Sequence, residues 1–215
     1  MTATSVAQAV YVLAAVLFVL SLAGLSKQES ARRGNVLGMV GMVLALAATI
    51  VLALGTSARP VLVTALLVAI VLLVGAAVGT WRARRVEMTQ MPELIAVLRR
   101  VVGAAAVLVG VEADLPAQGA GHDDVAHLVE VSLGVLVGAV TFTGSVVAFL
   151  KLSGRTRSAP LQLPGRNLLN LGALVASLGL VAWLVVAPAV WPLLLLTVVS
   201  LALGWHLVAS IGGGD

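Results

Sequence analysis

The sequence predicts an all-α integral membrane protein: a bundle of about seven transmembrane helices, with the amino terminus outside and the carboxyl terminus cytoplasmic. Three observations carry this. Hydrophobic residues make up 60% of the chain and charged residues only 10%, whereas a soluble domain carries about 25% charged residues. The mean hydropathy is +1.13, and the apolar residues fall in runs of about 20, the length a helix needs to cross a hydrocarbon core. Lys and Arg, finally, concentrate in alternate connections, which fixes an orientation. The pI of about 10.7 does not indicate nucleic acid, because the basic clusters are short and no aromatic-studded basic face accompanies them. Cysteine is absent, which excludes disulfides, thiolate metal sites and iron–sulfur clusters.

The spans are expected at about 4–25, 35–55, 61–81, 92–112, 125–150, 166–187 and 189–211. No positive charge precedes the first run and no small-residue cleavage site follows it, so it reads as a retained span and not a signal peptide. The connection SKQESARRG carries Lys27, Glu29, Arg32 and Arg33. Arg59 and Pro60 mark a short turn between the second and third spans. Arg82, Arg84, Arg85 and Glu87 form the next connection, and Pro92 suits the first turn of the fourth helix, where its missing N–H has no partner to lose. The longest polar connection, EADLPAQGAGHDDVAH, is acidic. Lys151, Arg155 and Arg157 follow the fifth span, Arg166 opens the sixth, and Pro188 and Pro192 mark the start of the seventh. The connections after spans one, three and five hold three Lys or Arg each, Arg166 adding a fourth to the last, against Arg59 alone on the other side. The basic connections are therefore placed in the cytoplasm.

Small residues recur at helical spacing: Gly34, Gly38, Gly41 and Ala45; Gly75 and Gly79; Gly134, Gly138, Thr141 and Ser145; Gly172, Ala176 and Gly179. In lipid such stripes let backbones approach closely, so they predict a tightly packed bundle. A phosphate-cradling loop is the sharper reading of the glycines, but none follows a strand and no Gly-Lys-Ser/Thr occurs. No internal repeat or inverted pair of broken helices is evident.

Several residues carry possible chemistry. His122, Asp123, Asp124 and His127 have metal-ligand types, although Asp residues capping the fifth span at its positive dipole end explain them better, and no metal is expected. His206, beside Trp205, reads as an interfacial or packed residue. Glu130, about one turn inside the fifth span, could relay protons or reach the outer interface and be inert. Thr141, Thr143 and Ser145 in VTFTGSVVAF, with Asn167 and Asn170 in GRNLLNL, could line a wet path, although each hydroxyl can also bond its own helix backbone. Arg99 and Arg100 lie about 10–12 Å along the fourth helix from Pro92. They point about 100° apart, so one is expected to face the bundle interior or a second subunit and the other to snorkel to the cytoplasmic face.

The blocks ARRGNVLGMVGMVLALAATI, RRVEMTQMPELIAVL, VTFTGSVVAFLKLSG, LPGRNLLNL and HLVASIGGGD, in this order across almost the whole chain, resemble the membrane domain of the beta subunit of proton-translocating NAD(P) transhydrogenase. The resemblance implies a complex that couples hydride transfer between NADH and NADP to proton movement, with NAD and NADP held by domains outside the membrane and no cofactor bound by these residues. It implies an alpha-type membrane subunit as partner, an NADP-binding domain and further helices beyond Asp215, so that these residues are a fragment inactive alone. A dimer of the whole complex in the lipid bilayer, in a bacterial plasma membrane in preference to the mitochondrial inner membrane, is also implied. Two departures matter. The family's IGGAD reads IGGGD here, and some members carry an intramembrane histidine, thought to handle the proton, where this chain has Arg99. An arginine releases no proton at physiological pH, so the resemblance leaves proton handling to another group, for which a companion subunit is one source. Asp215 matches an acidic residue to which the family assigns a coupling role. The proton-path or coupling candidates are therefore Arg99, Glu130, Thr141, Thr143, Ser145, Asn170 and Asp215. A transporter or channel subunit and a passive anchor are the other readings that composition alone supports.

Overall fold

The computed structural model describes residues 3–57, 59–117, 125–161 and 165–211. Among the described residues there are seven α-helices and no strand: α1 (Ala3–Leu25), α2 (Ala31–Thr56), α3 (Val61–Arg85), α4 (Met91–Ala117), α5 (Val125–Leu152), α6 (Arg166–Val186) and α7 (Val190–Ala209). All seven contain a segment long and apolar enough to cross a membrane. Several outrun the spans that hydropathy marks, because a helix continues into its polar ends while the apolar count stops. Arg82, Arg84 and Arg85 lie in the last turn of α3, where cations favour the negative end of the helix dipole. A 3₁₀ turn, Met88–Gln90, leads into α4, whose first turn holds Pro92 as its chemistry requires.

The helices fall into two compact units, Met1–Arg85 and Val86–Asp215. In the first, α1 packs along α2 through small residues. A Cβ on Gly24 would lie 2.7 Å from the Gly34 Cα, and one on Gly34 would lie 2.8 Å from the Ser21 carbonyl oxygen. Contact this close is what the α2 stripe anticipates. Ser30 ties the turn between the two helices by donating its hydroxyl to the Gly24 carbonyl at 2.7 Å. The stripe on α3 behaves differently: no α3 residue is buried, and Gly75 and Gly79 have open space where a Cβ would stand. Among the described residues, then, close packing does not extend to that stripe.

In the second unit α4 packs on α5, α5 on α7 and α6 on α7. Gly103 of α4 approaches Gly138 of α5 closely, a Cβ on Gly103 lying 2.7 Å from the Gly138 carbonyl oxygen. Gly134, Gly172 and Gly179 meet nothing, so here too only part of the small-residue pattern is used. The apolar core is Val131 and Val135 of α5, Val181 and Leu184 of α6, and Leu193 and Leu196 of α7. It gathers toward the start of α5 and the turn between α6 and α7, where Trp183 and Trp191 meet edge to face at 5.1 Å. The opposite half of the unit holds Arg99, Lys151, Asn170 and His206.

Candidate functional site

The antiparallel pair α4 and α5 encloses a cleft of about 330 Å³ in the half of the unit away from the apolar core. Arg99, Thr141 and Ser145 line it together, with Ala96, Gly144 and Val208 of α7 among the apolar walls. Helical spacing explains the pairing on α5, since Thr141 and Ser145 are four residues apart and share a face. Arg99 reaches the cleft with its side chain exposed. Arg100 is half-buried instead and stacks on Phe149, its guanidinium carbon 5.6 Å from the ring centroid, with Arg155 against the same ring at 5.5 Å. The two consecutive arginines thus diverge as the 100° rotation requires.

The hydroxyls separate into two kinds. Thr143 donates to the Ala139 carbonyl at 3.1 Å, the backbone bond available to any helical threonine. Its Oγ1 also lies against Gly204 of α7, where a Cβ would collide with it and with the backbone of Val140. Thr141 and Ser145 make no such bond and offer their oxygens to the cleft.

Asn170 is not part of the cleft. It faces α7, where its Oδ1 stands 2.6 Å from Nδ1 of His206. A carboxamide oxygen only accepts, so Nδ1 donates to it. Nε2 is buried and has no hydrogen-bond partner among the described residues. Leaving a buried polar atom unpaired costs about 1–3 kcal/mol. The sequence treats His206 as interfacial or packed, and packed it is, but its link to Asn170 escapes a reading of single helices. A signal was present: Asn170 lies about one turn from the start of α6 and His206 about one turn from the end of α7, ends that an antiparallel pair brings together.

A second missed residue is Lys151. Read in sequence as a charge of the basic connection, it is buried, with 8% exposure. Its ammonium donates to the carbonyls of Val208 at 3.2 Å, Ala209 at 2.8 Å and Ile211 at 2.5 Å. The first two are carbonyls that the end of α7 leaves without intrahelical partners and the third lies just beyond it, so one lysine caps the helix. The Leu161 N–H donates to the Ala209 carbonyl at 2.9 Å from the connection between α5 and α6.

Glu130 lies in the other half of the unit, exposed on α5 and distant in sequence register from the cleft. His122, Asp123, Asp124 and Asp215 lie outside the described residues. No cluster able to hold a metal ion occurs among the described residues.

The family model described as NAD(P) transhydrogenase beta subunit matches residues 7–215. Two curated sequences of NAD(P) transhydrogenase subunit beta from Rhodospirillum rubrum are each 41% identical over 216 residues, covering 98% of this chain and 45% of the relative. The chain therefore spans a little under half the length of these relatives, and by the extent of both matches it belongs to the NAD(P) transhydrogenase beta-subunit family.

Proposed function

We propose that this chain forms part of the membrane domain of a proton-translocating NAD(P) transhydrogenase, conducting protons in step with hydride transfer between NADH and NADP. The observation that carries the reading is the convergence of Arg99, Thr141 and Ser145 on one cleft in an otherwise apolar helix pair, in a chain of this family. Polar side chains inside a membrane are costly and mark ion pathways. The two hydroxyls order water in the cleft, and Arg99, permanently charged, tunes the field there without giving up a proton. Thr143, Asn170 and Glu130 stand outside the cleft and are not needed for this path, and Asp215 is assigned the transmission of proton occupancy toward the nucleotide-binding part.

The described helices contain no strand-to-helix glycine turn to hold a pyrophosphate, so these residues do not fit a dinucleotide. Nucleotide chemistry is assigned to domains beyond them: an NADP-binding domain of the same subunit and an alpha-type partner with its own membrane helices. The basic connections lie in the cytoplasm of a bacterium, the amino terminus outside, and the whole complex is a dimer.

Reconstitution of the complete complex into vesicles with an internal pH dye tests this. Hydride transfer is expected to move protons, and Thr141→Val with Ser145→Ala is expected to slow the coupled rate about tenfold, the rate equivalent of about 1.4 kcal/mol, with NADP affinity unchanged. Hydride transfer without any proton movement would defeat the proposal.

A further inference from the structure

We propose that a cavity at the basic end of the second unit, where the connection between α5 and α6 folds across the ends of α5 and α7, binds the headgroup of an anionic phospholipid. The inference goes beyond the transhydrogenase reading and does not depend on it. The cavity has a volume of about 360 Å³; Lys151 and Arg157 bring cations to its lining, and Val147, Leu150, Leu161 and Trp205 bring apolar surface. Cationic and apolar groups around one cavity suit an amphiphile, and basic pockets between membrane helices are where anionic headgroups settle.

Backbone bonds build the cavity. Beyond Leu152, the last residue of α5, Gly154 takes a positive φ of 68°, which glycine adopts without steric cost. The chain turns back there, and the Thr156 N–H donates to the Leu150 carbonyl at 3.1 Å. Further along, the Leu161 N–H donates to the Ala209 carbonyl at 2.9 Å and pins the connection to the end of α7. Lys151 ties the same junction from within, through the carbonyls of Val208, Ala209 and Ile211. Val147 and Trp205 lie about 6–8 Å inside the ends of their helices at 1.5 Å per residue, so the apolar walls reach into the spans while Arg157 stays in the connection. Tryptophan favours this level of a bilayer, where one part of the ring meets lipid and another meets headgroups, and Trp205 is half exposed.

Charge sets the sign of the ligand. From Val131 to Ile211 the chain carries Lys151, Arg155, Arg157 and Arg166 and no carboxylate. Glu87 and Glu93, before α4 and in its first turn, do not line the cavity. The cations play different parts. Lys151 has committed its three hydrogens to carbonyls, so it adds positive potential and no further bond. Arg155 lies against the Phe149 ring. Arg157 is exposed, and a guanidinium offers paired N–H donors that match two phosphate oxygens. Inorganic phosphate would meet mostly apolar wall here and lose hydration without return. A phospholipid places its phosphodiester at Arg157 and its glycerol and acyl chains along Val147, Leu150 and Trp205, so the wall favours the lipid over the free anion.

The test uses the full-length chain with its partner subunit, purified in neutral detergent, stripped of lipid and titrated with phosphatidylglycerol, phosphatidylcholine or inorganic phosphate. Melting temperature and lipid retained in native mass spectrometry are the readouts. Phosphatidylglycerol is expected to raise the melting temperature at concentrations at least tenfold below phosphatidylcholine, and inorganic phosphate neither to raise it nor to displace the lipid. Arg157→Gln removes an exposed charge and is expected to shift the phosphatidylglycerol titration about tenfold upward, with one lipid fewer retained per copy of this chain and the melting temperature of the lipid-free complex unchanged. Arg33→Gln, an equal loss of charge in the first unit, is expected to shift it less than twofold. Equal shifts from the two substitutions would reduce the effect to diffuse attraction between a basic protein and an anionic lipid, and equal affinity for the two lipids would leave only an apolar crevice. Either result overturns the proposal, as does displacement by inorganic phosphate, which would make this a free-anion site. Hydride transfer and proton movement are measured separately, so each of these failures leaves the transhydrogenase reading standing.

Discussion

Lys151 shows how much a single side chain can hold in an apolar unit. Its three hydrogen bonds to the carbonyls of Val208, Ala209 and Ile211 join the end of α5 to the end of α7 and satisfy oxygens that lipid could not. Bonds to a charged donor contribute about 1.5–3 kcal/mol each at most, and losing a donor exposes the acceptors' desolvation cost. Lys151→Met preserves length and apolar stem but donates nothing. It is expected to destabilise the protein by about 2–4 kcal/mol, read as a lower melting temperature in neutral detergent; an unchanged melting temperature would show that water replaces the ammonium. In the sequence Lys151 is one of three basic residues in a loop, and nothing in its spacing separates it from Arg155, which is exposed. Its role depends on a helix 57 to 60 residues away, a distance that local pattern does not report. Thr141 and Ser145 were legible for the opposite reason, since their spacing of four and their place on one helix already put them together.

At the scale of the helix, glycine divides the chain into contacts that are used and contacts that are not. Gly103 meets the backbone of Phe142 and Gly138, and Gly204 meets that of Val140, with a Cβ on Gly204 2.7 Å from the Val140 Cα. Backbone cannot move aside as a flexible side chain does, so Gly103→Ala and Gly204→Ala are each expected to cost about 1–3 kcal/mol. Gly172 and Gly179 have open space, and alanine there gains up to about 1 kcal/mol of helix propensity. Melting temperatures of the four variants, purified side by side, are expected to fall for the first pair and hold or rise for the second. A uniform response would mean that these approaches do not limit stability. Seven helices were legible because each needs only a long apolar run. Which glycine stripes are close contacts was not: Gly41 and Gly75 lie in similarly apolar sequence, and only the neighbour's presence distinguishes them.

Across the whole chain, the alternation of charge gives a topology that can be tested residue by residue. The connections after α1, α3 and α5 carry the Lys and Arg, and the connection between α2 and α3 carries only Arg59. Each membrane helix reverses the side, so with seven crossings the two ends of the described chain fall on opposite sides, and the positive-inside rule selects which. Asn170, His206, Lys151 and the cleft of Arg99 all gather at the end of the second unit where the basic connections lie, whereas the core around Leu184 and Leu193 fills the other end. The cleft of Arg99, Thr141 and Ser145 at the basic end is therefore predicted to open to the cytoplasm. The chain has no cysteine, so single introduced cysteines report without background. Gln28→Cys and Thr156→Cys are expected to resist a membrane-impermeant maleimide in intact cells and to react in inverted vesicles. Arg59→Cys is expected to do the reverse. If all three positions react from the same side, an odd number of helices fails to cross both between residues 28 and 59 and between 59 and 156, and the cytoplasmic opening of the cleft fails with it.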